Sequence, residues 1–230
     1  MTVWRGCGAG WRIWTASCDA ASLVGDASPG ALAALAQGRE GERVAGSRSS
    51  WVVRMRQGAI DCHVKTYVYP GLRDRVRGWF RNTLLAPSRA AREVAAAQWL
   101  LAHGFAAARP LVLAEQRGFS GVRVAVVATE TVAGDRLDRW LPTADESRRR
   151  EVLRALAAWV EEVHAAGFRD RNLDLRNLIL LPGEPPRFAK VDSPRFVIAR
   201  SKGPDALSRA DVARLTASLA ALGLDWPGAE

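Results

Sequence analysis

The sequence predicts an α+β chain folded as two lobes, with strands and one helix first and mostly helices after. Three observations predict it. Strand-like runs bounded by turn signals lie at Trp51–Tyr67 and again at Val122–Ala128, with one helix between them. The longest helical periodicity, Asp145–Ala166, begins only after that region. No internal repeat or low-complexity linker interrupts the 230 residues. The expected lobes are residues 1–130 and 131–230, with a hinge near 130–135. A chain of this length, 48% hydrophobic, can bury a real core and is not disordered.

The first 50 residues are rich in Gly, Ala and Ser, with tryptophans at 4, 11 and 14. They predict a short strand near Trp11–Trp14 and a helix over 29–37. Trp51–Arg56 reads as a strand, Gln57-Gly58 as a turn and Ile60–Tyr67 as a second strand. Period two puts Ile60, Cys62, Val64 and Thr66 on one face of it, and Asp61, His63, Lys65 and Tyr67 on the other. The small-residue stretch Ala45–Ser50 is a loop just before this hairpin. After Pro87, Ser88 caps a helix that ends at Gly104. Glu93 falls on its apolar stripe, where a carboxylate is costly unless a cation meets it.

Val122–Ala128 is a strand that runs into Thr129-Glu130-Thr131 and the turn Ala133-Gly134-Asp135. In the long helix Val152, Leu156, Trp159, Val160 and Val163 keep helical spacing, and Gly167 ends it. A loop over 168–177 leads to a strand at Leu178–Leu181, a Pro-rich turn, and a strand over Phe188–Asp192. The last helix, about Arg209–Leu222, opens with Ser208-Arg-Ala-Asp211, a capping-box pattern.

Charge and cysteine content narrow the function classes. The net charge is +9 and the pI about 10.6, which points to an anionic partner. Of the 33 basic residues only Lys65, Lys190 and Lys202 are lysines, so the basicity reflects coding composition as much as binding. The few lysines are therefore of interest, because a compact ammonium does what a planar guanidinium cannot. Three widely spaced cysteines without CxxC exclude a zinc ribbon, disfavour a disulfide scaffold and suggest the cytosol. The N-terminus, interrupted by Arg5 and Arg12, does not read as a secretory signal, and no apolar run is long enough to span a bilayer. His63, His103 and His164 lack metal-ligand spacing. No nucleic-acid reading motif is present, so nucleic acid is not an expected partner.

Four residue types then fall in one order: a lysine ending a strand, a glutamate inside the next helix, an Asp/Asn loop after a long helix, and an aspartate ending a strand. Phosphoryl transfer needs these parts. Lys65 would hold the α- and β-phosphates, Glu93 would hold Lys65, and Asn177 with Asp192 would hold Mg²⁺. Gly46 and Ser47 lie where a phosphate loop would run, although GxGxxG is lacking, and Glu130 lies at the hinge edge of the same nucleotide site.

Val64–Trp79 with Ser88-Arg-Ala-Ala-Arg-Glu93, the stretch Gly167–Leu180, Val191-Asp192-Ser-Pro-Arg and Asp211-Val-Ala-Arg-Leu215 together resemble the lipopolysaccharide core kinases of the Kdo/WaaP type. The resemblance spans about residues 40–222. It implies a protein-kinase-like two-lobed fold with a minimal C-terminal lobe, since only 38 residues follow Asp192. It also implies ATP and Mg²⁺ as cofactors, and Asp211 as the brace of the catalytic loop.

Family loops read His-x-Asp-x-x-x-x-Asn. Here only Asn172 has an Asn, Asn177, five residues on, so Asn stands where the catalytic Asp is expected. An amide cannot act as a carboxylate base. Asp170 and Asp174, two residues to either side, are the candidates to reach in. The preferred function is an ATP-dependent phosphotransferase acting on a sugar hydroxyl of lipopolysaccharide core or a related glycolipid. The alternative is a pseudokinase, a nucleotide-binding or scaffolding module without turnover. The run Arg73, Arg75, Arg77, Arg81, Arg89 and Arg92, with Trp79 and Phe80, is a candidate contact for an anionic membrane. The expected location is cytoplasmic, peripheral at the inner membrane face.

Overall fold

The structure, a computed structural model, describes residues 4–38, 41–71, 86–119, 121–199 and 203–227. The chain divides into two compact units. One is Met1–Ala95 with Arg109–Thr131, and the other is Ala96–Ala108 with Val132–Glu230.

The first unit is built on a seven-stranded antiparallel sheet. Its strands are β1 (Arg5–Gly8), β2 (Trp11–Thr15), β3 (Glu42–Gly46), β4 (Ser50–Gln57), β5 (Ile60–Val68), β7 (Pro110–Gly118) and β8 (Gly121–Glu130), in the order β1-β2-β7-β8-β5-β4-β3. The helices α1 (Cys18–Ala21) and α2 (Pro29–Gln37) are capped by the hydroxyls of Ser17 and Ser28, and α2 carries Pro at its first position. The apolar residues of α2, Leu32, Leu35 and Ala36, join Val53, Cys62, Val64, Val112, Val126 and Ala128 in one core layer. Thr66 lies on that same face and donates to the Ala36 carbonyl at 2.9 Å. The opposite face packs Tyr67, Leu113, Ala125 and Val127 with Ala90 and Val94 of α3 (Arg89–Ala102). The period-two reading of β5 thus separates two cores, and Lys65 shares the α3 face with Tyr67.

The second unit holds the four-stranded sheet β6-β12-β11-β9, made from β6 (Ala106–Ala107), β9 (Asp135–Arg136), β11 (Leu178–Leu181) and β12 (Arg187–Lys190). β6 joins β12 in parallel, and a two-stranded ribbon pairs β10 (Phe168–Arg169) with β13 (Val197–Ile198). Its helices are α4 (Leu137–Trp140), α5 (Glu146–Ala165) and α6 (Ala206–Ala220). Asp145 caps α5 by accepting from Arg148 N at 2.9 Å, and Gly167 at φ 103° follows its end. Val152, Leu156 and Val160 bury their faces with Leu175, Leu178, Leu215 and Leu219. Each such side chain contributes about 1.5–3 kcal/mol on burial.

The last helix corrects the sequence reading. It begins at Ala206 rather than Arg209, and its capping box is Asp205 with Ser208. Asp205 accepts from Ser208 N at 2.7 Å while Ser208 Oγ accepts from Asp205 N at 2.8 Å. Asp211 is thereby released from any capping role.

Candidate active site

In the first unit Lys65 Nζ donates to Glu93 Oε1 at 2.7 Å, and the Tyr67 hydroxyl donates to the same oxygen. The lysine side chain is 19% exposed and the glutamate 9%. The pair forms because β5 turns Lys65 toward α3, and α3 turns Glu93 onto its buried stripe. Lys65 Nζ also stands 5.1 Å from the centroid of the Tyr67 ring, whose face attracts a cation. A carboxylate that accepts from both an ammonium and a phenol is a firm anchor. The sequence pairing of Lys65 with Glu93 is met by the geometry, whereas Tyr67 was not anticipated. Its signal was the period-two face it shares with Lys65.

Gly46 ends β3, and Ser47 enters the tight connection to β4, where Ser47 N donates to Ser50 O at 2.6 Å. Glu130 ends β8, half-exposed, with Arg109 at 3.7 Å. Of the expected membrane cluster, Arg89 and Arg92 are described; Arg73, Arg75, Arg77, Trp79, Phe80 and Arg81 lie outside the described residues.

The second unit assembles its own cluster of polar residues. Asp211, 1% exposed, accepts backbone N–H bonds from Asp170 at 2.9 Å and Arg171 at 2.8 Å. His164 Nε2 stands 3.4 Å from the same carboxylate. Asp211 thus fixes the backbone at the start of the 170–177 loop. Arg171 has φ 57° and Asp192 φ 58°, left-handed conformations uncommon outside glycine. Such strain costs of order 1–3 kcal/mol and persists where surrounding contacts over-determine it. The contacts are specific: Asn177 Nδ2 donates to Asn172 O at 3.1 Å, Asn172 Nδ2 donates to Asp192 O at 2.9 Å, and Val191 N donates to Asn177 O at 3.0 Å. Asn172, Asn177 and Asp192 are therefore brought together.

The flanking carboxylates are otherwise engaged. Asp170, expected to reach toward an acceptor hydroxyl, is 2% exposed, and its Oδ2 lies 3.1 Å from Lys190 Nζ. Burial pushes this carboxyl above its usual range, against the opposing charge of Lys190. Its burial against Lys190 does not fit the expected reach toward an acceptor hydroxyl. Asp174 caps the short turn Leu175–Asn177 by accepting from Arg176 N at 3.0 Å, and pairs with the Arg176 guanidinium at 3.0 Å. Burial raises its carboxyl, but Arg176 outweighs burial and the net shift is downward. Lys190 was not anticipated as a site residue; its signal was scarcity, a lysine in a chain of arginines.

The donor set suits a hard cation. Asp192 offers a carboxylate and Asn177 an amide oxygen, the ligands Mg²⁺ takes alongside phosphate and water. Among the described residues no three His, Cys, Asp or Glu side chains converge.

A lysine–glutamate pair on a strand and helix in one unit, and a braced Asn-x₄-Asn loop beside a left-handed Asp in the other, are the parts the sequence reading expects of a protein-kinase-like fold. Residues 36–224 match the lipopolysaccharide kinase (Kdo/WaaP) family, and the chain belongs to that family. It is an ATP-dependent kinase of lipopolysaccharide core or a related glycolipid. Among similar solved structures is WaaP in complex with acyl carrier protein, at 18% identity and TM-score 0.64, covering 90% of this chain and 80% of that one. Another is the Rio2 kinase–ADP/Mg²⁺–phosphoaspartate complex from Chaetomium thermophilum, at 12% identity and TM-score 0.56, covering 81% and 57%. At these identities the structures establish the shared kinase-like fold. No curated protein matches the chain.

Proposed function

We propose that this kinase transfers the γ-phosphoryl group of Mg·ATP to a sugar hydroxyl without a carboxylate base. Lys65, oriented by Glu93 and Tyr67, holds the α- and β-phosphates. Asn177 and Asp192 hold Mg²⁺, which neutralises charge developing on the phosphates. Gly46, Ser47 and Glu130 complete the nucleotide site.

Asn172 uses its amide N–H on the Asp192 carbonyl. Its Oδ1 is then the atom left to accept a hydrogen bond from the acceptor hydroxyl and to orient it. The phosphoryl-transfer transition state is loose, so the hydroxyl needs alignment more than early deprotonation, and its proton leaves late. The observation that carries this reading is the chain of bonds Asn177–Asn172–Asp192, which ties the loop to the metal-binding turn. The test is γ-labelled ATP with a lipopolysaccharide-core acceptor, comparing wild type with Asn172→Ala. Loss of transfer with ATP affinity retained supports the role; unchanged transfer removes it.

Action at the inner membrane face belongs to the same proposal. Its support is the sequence cluster from Arg73 to Arg92, together with a lipid-linked acceptor. Among the described residues no helix is long and apolar enough to cross a membrane.

A further inference from the structure

Lys190 is the last residue of β12, and its side chain is 1% exposed. Its ammonium meets three oxygens: Asp170 Oδ2 at 3.1 Å, the Val191 carbonyl and, at 3.4 Å, the Asp192 carbonyl. The contact with Asp170 is an ion pair without good hydrogen-bond alignment, whereas both carbonyls accept hydrogen bonds. Asp170 is itself fixed, because its backbone N–H is held by Asp211. One cation thus joins the braced catalytic loop to the two peptide units that carry Asp192 through its left-handed turn.

A buried ion pair is a poor way to add stability, since an apolar pair of similar volume does as well or better. Stability alone therefore does not account for this pair. The residue type is informative as well. Among 33 basic residues, 30 are arginine, yet this position holds lysine, whose compact ammonium can donate in several directions within a small space. Asn172 donates to the same Asp192 carbonyl at 2.9 Å, so the turn is gripped from two sides.

We infer that Lys190, clamped by Asp170, is a positioning residue that sets the Val191–Asp192 backbone so that the Asp192 carboxylate is presented to the metal. This rests on the reading of Asp192 as a metal ligand.

The test titrates Mg²⁺ against ATP binding by the full chain, read by thermal shift and by ATP affinity with and without metal. Asp192→Asn serves as the control. Lys190→Met is expected to raise the Mg²⁺ concentration for half-effect at least tenfold, leaving metal-free ATP affinity within twofold of wild type. Because Lys190→Met strands a buried carboxylate, the double variant Asp170→Asn/Lys190→Met is measured too. It should recover melting temperature without recovering the Mg²⁺ half-effect.

Recovery of both, or a Lys190→Met protein of lower melting temperature with wild-type Mg²⁺ dependence, overturns the inference and makes the pair merely structural. Failure of both variants to fold at 25 °C overturns it equally, since the pair is then a requirement of the fold. If wild type and Asp192→Asn respond alike to Mg²⁺, the metal-ligand reading of Asp192 falls first and this inference with it.

Discussion

Lys65 and Glu93, 28 residues apart in sequence, meet at 2.7 Å with Tyr67 on the same carboxylate oxygen. Lys65→Met should abolish the ATP-induced rise in melting temperature while leaving a cooperative fold. It should lower stability by about 1–3 kcal/mol, the usual consequence of stranding a buried polar group. Glu93→Gln keeps the shape but loses the charge-assisted bond, so kcat/KM should fall roughly 10–100-fold. An unchanged ATP-induced shift in Lys65→Met would remove this lysine from the nucleotide site.

Asp174 should not behave as a base. It is committed to Arg176 and to the turn before β11. Asp174→Ala should lower stability by about 1 kcal/mol through the lost cap and leave turnover within a few-fold of wild type. A drop of ~10²–10⁴, the scale of a positioned acid–base group, would show that proton removal does run through it.

Asp211 holds two backbone N–H groups of the 168–177 loop, the proposed catalytic loop. Asp211→Ala leaves both without that partner, at about 1–3 kcal/mol each. Urea melts should show the loss. Turnover should fall further than folded fraction alone accounts for, because Asn172 is carried by the same loop.

His63 gives a pH signature in the first unit. Burial chiefly, then Arg54, lowers its pKa below the ordinary 6.5, against the pull of Asp61. The folded state thus binds fewer protons than the unfolded chain just below pH 6.5, so stability rises with pH through that window. Melting temperature should therefore decline as pH falls from 7 through 6, and His63→Gln should flatten part of that decline. An NMR titration of His63 with a midpoint above 6.5 would contradict the sign.

The basic run from Arg73 to Arg92 predicts salt-sensitive binding to liposomes containing anionic lipid, worth ~1 kcal/mol for each arginine engaged. Equal binding to neutral and anionic liposomes would leave the run a solvated surface.

Much of the site was legible because its parts are local. Strand alternation placed Lys65, helical spacing placed Glu93 on a buried stripe, and the five-residue interval from Asn172 to Asn177 set the loop register. The misreadings came where two local patterns compete. Ser208-Arg-Ala-Asp211 and Asp205-Ala-Leu-Ser208 both read as capping boxes. Only the tertiary demand of the catalytic loop on Asp211 decides between them.

Asp170 departs from its sequence expectation for a related reason. A carboxylate beside the expected base looks available in sequence, and only burial with Lys190 shows that it is committed elsewhere. β7, which pairs with β2 and β8, went unassigned because it is buried nearly along its length and lacks clear alternation. The first 35 residues precede the stretch that matches the family. Their strands and α2 nonetheless join the same sheet and core, which no local motif announced.

The most direct test of the central claim is transfer of label from γ-labelled ATP to purified lipopolysaccharide core, measured for wild type and for Asp192→Asn. Wild type should transfer label in an Mg²⁺-dependent manner despite Asn172, and Asp192→Asn should lose at least ~10² in rate, the scale of a lost charge-stabilising group. A wild-type protein that binds Mg·ATP yet labels no core glycolipid, while Asn172→Asp does, would contradict that claim.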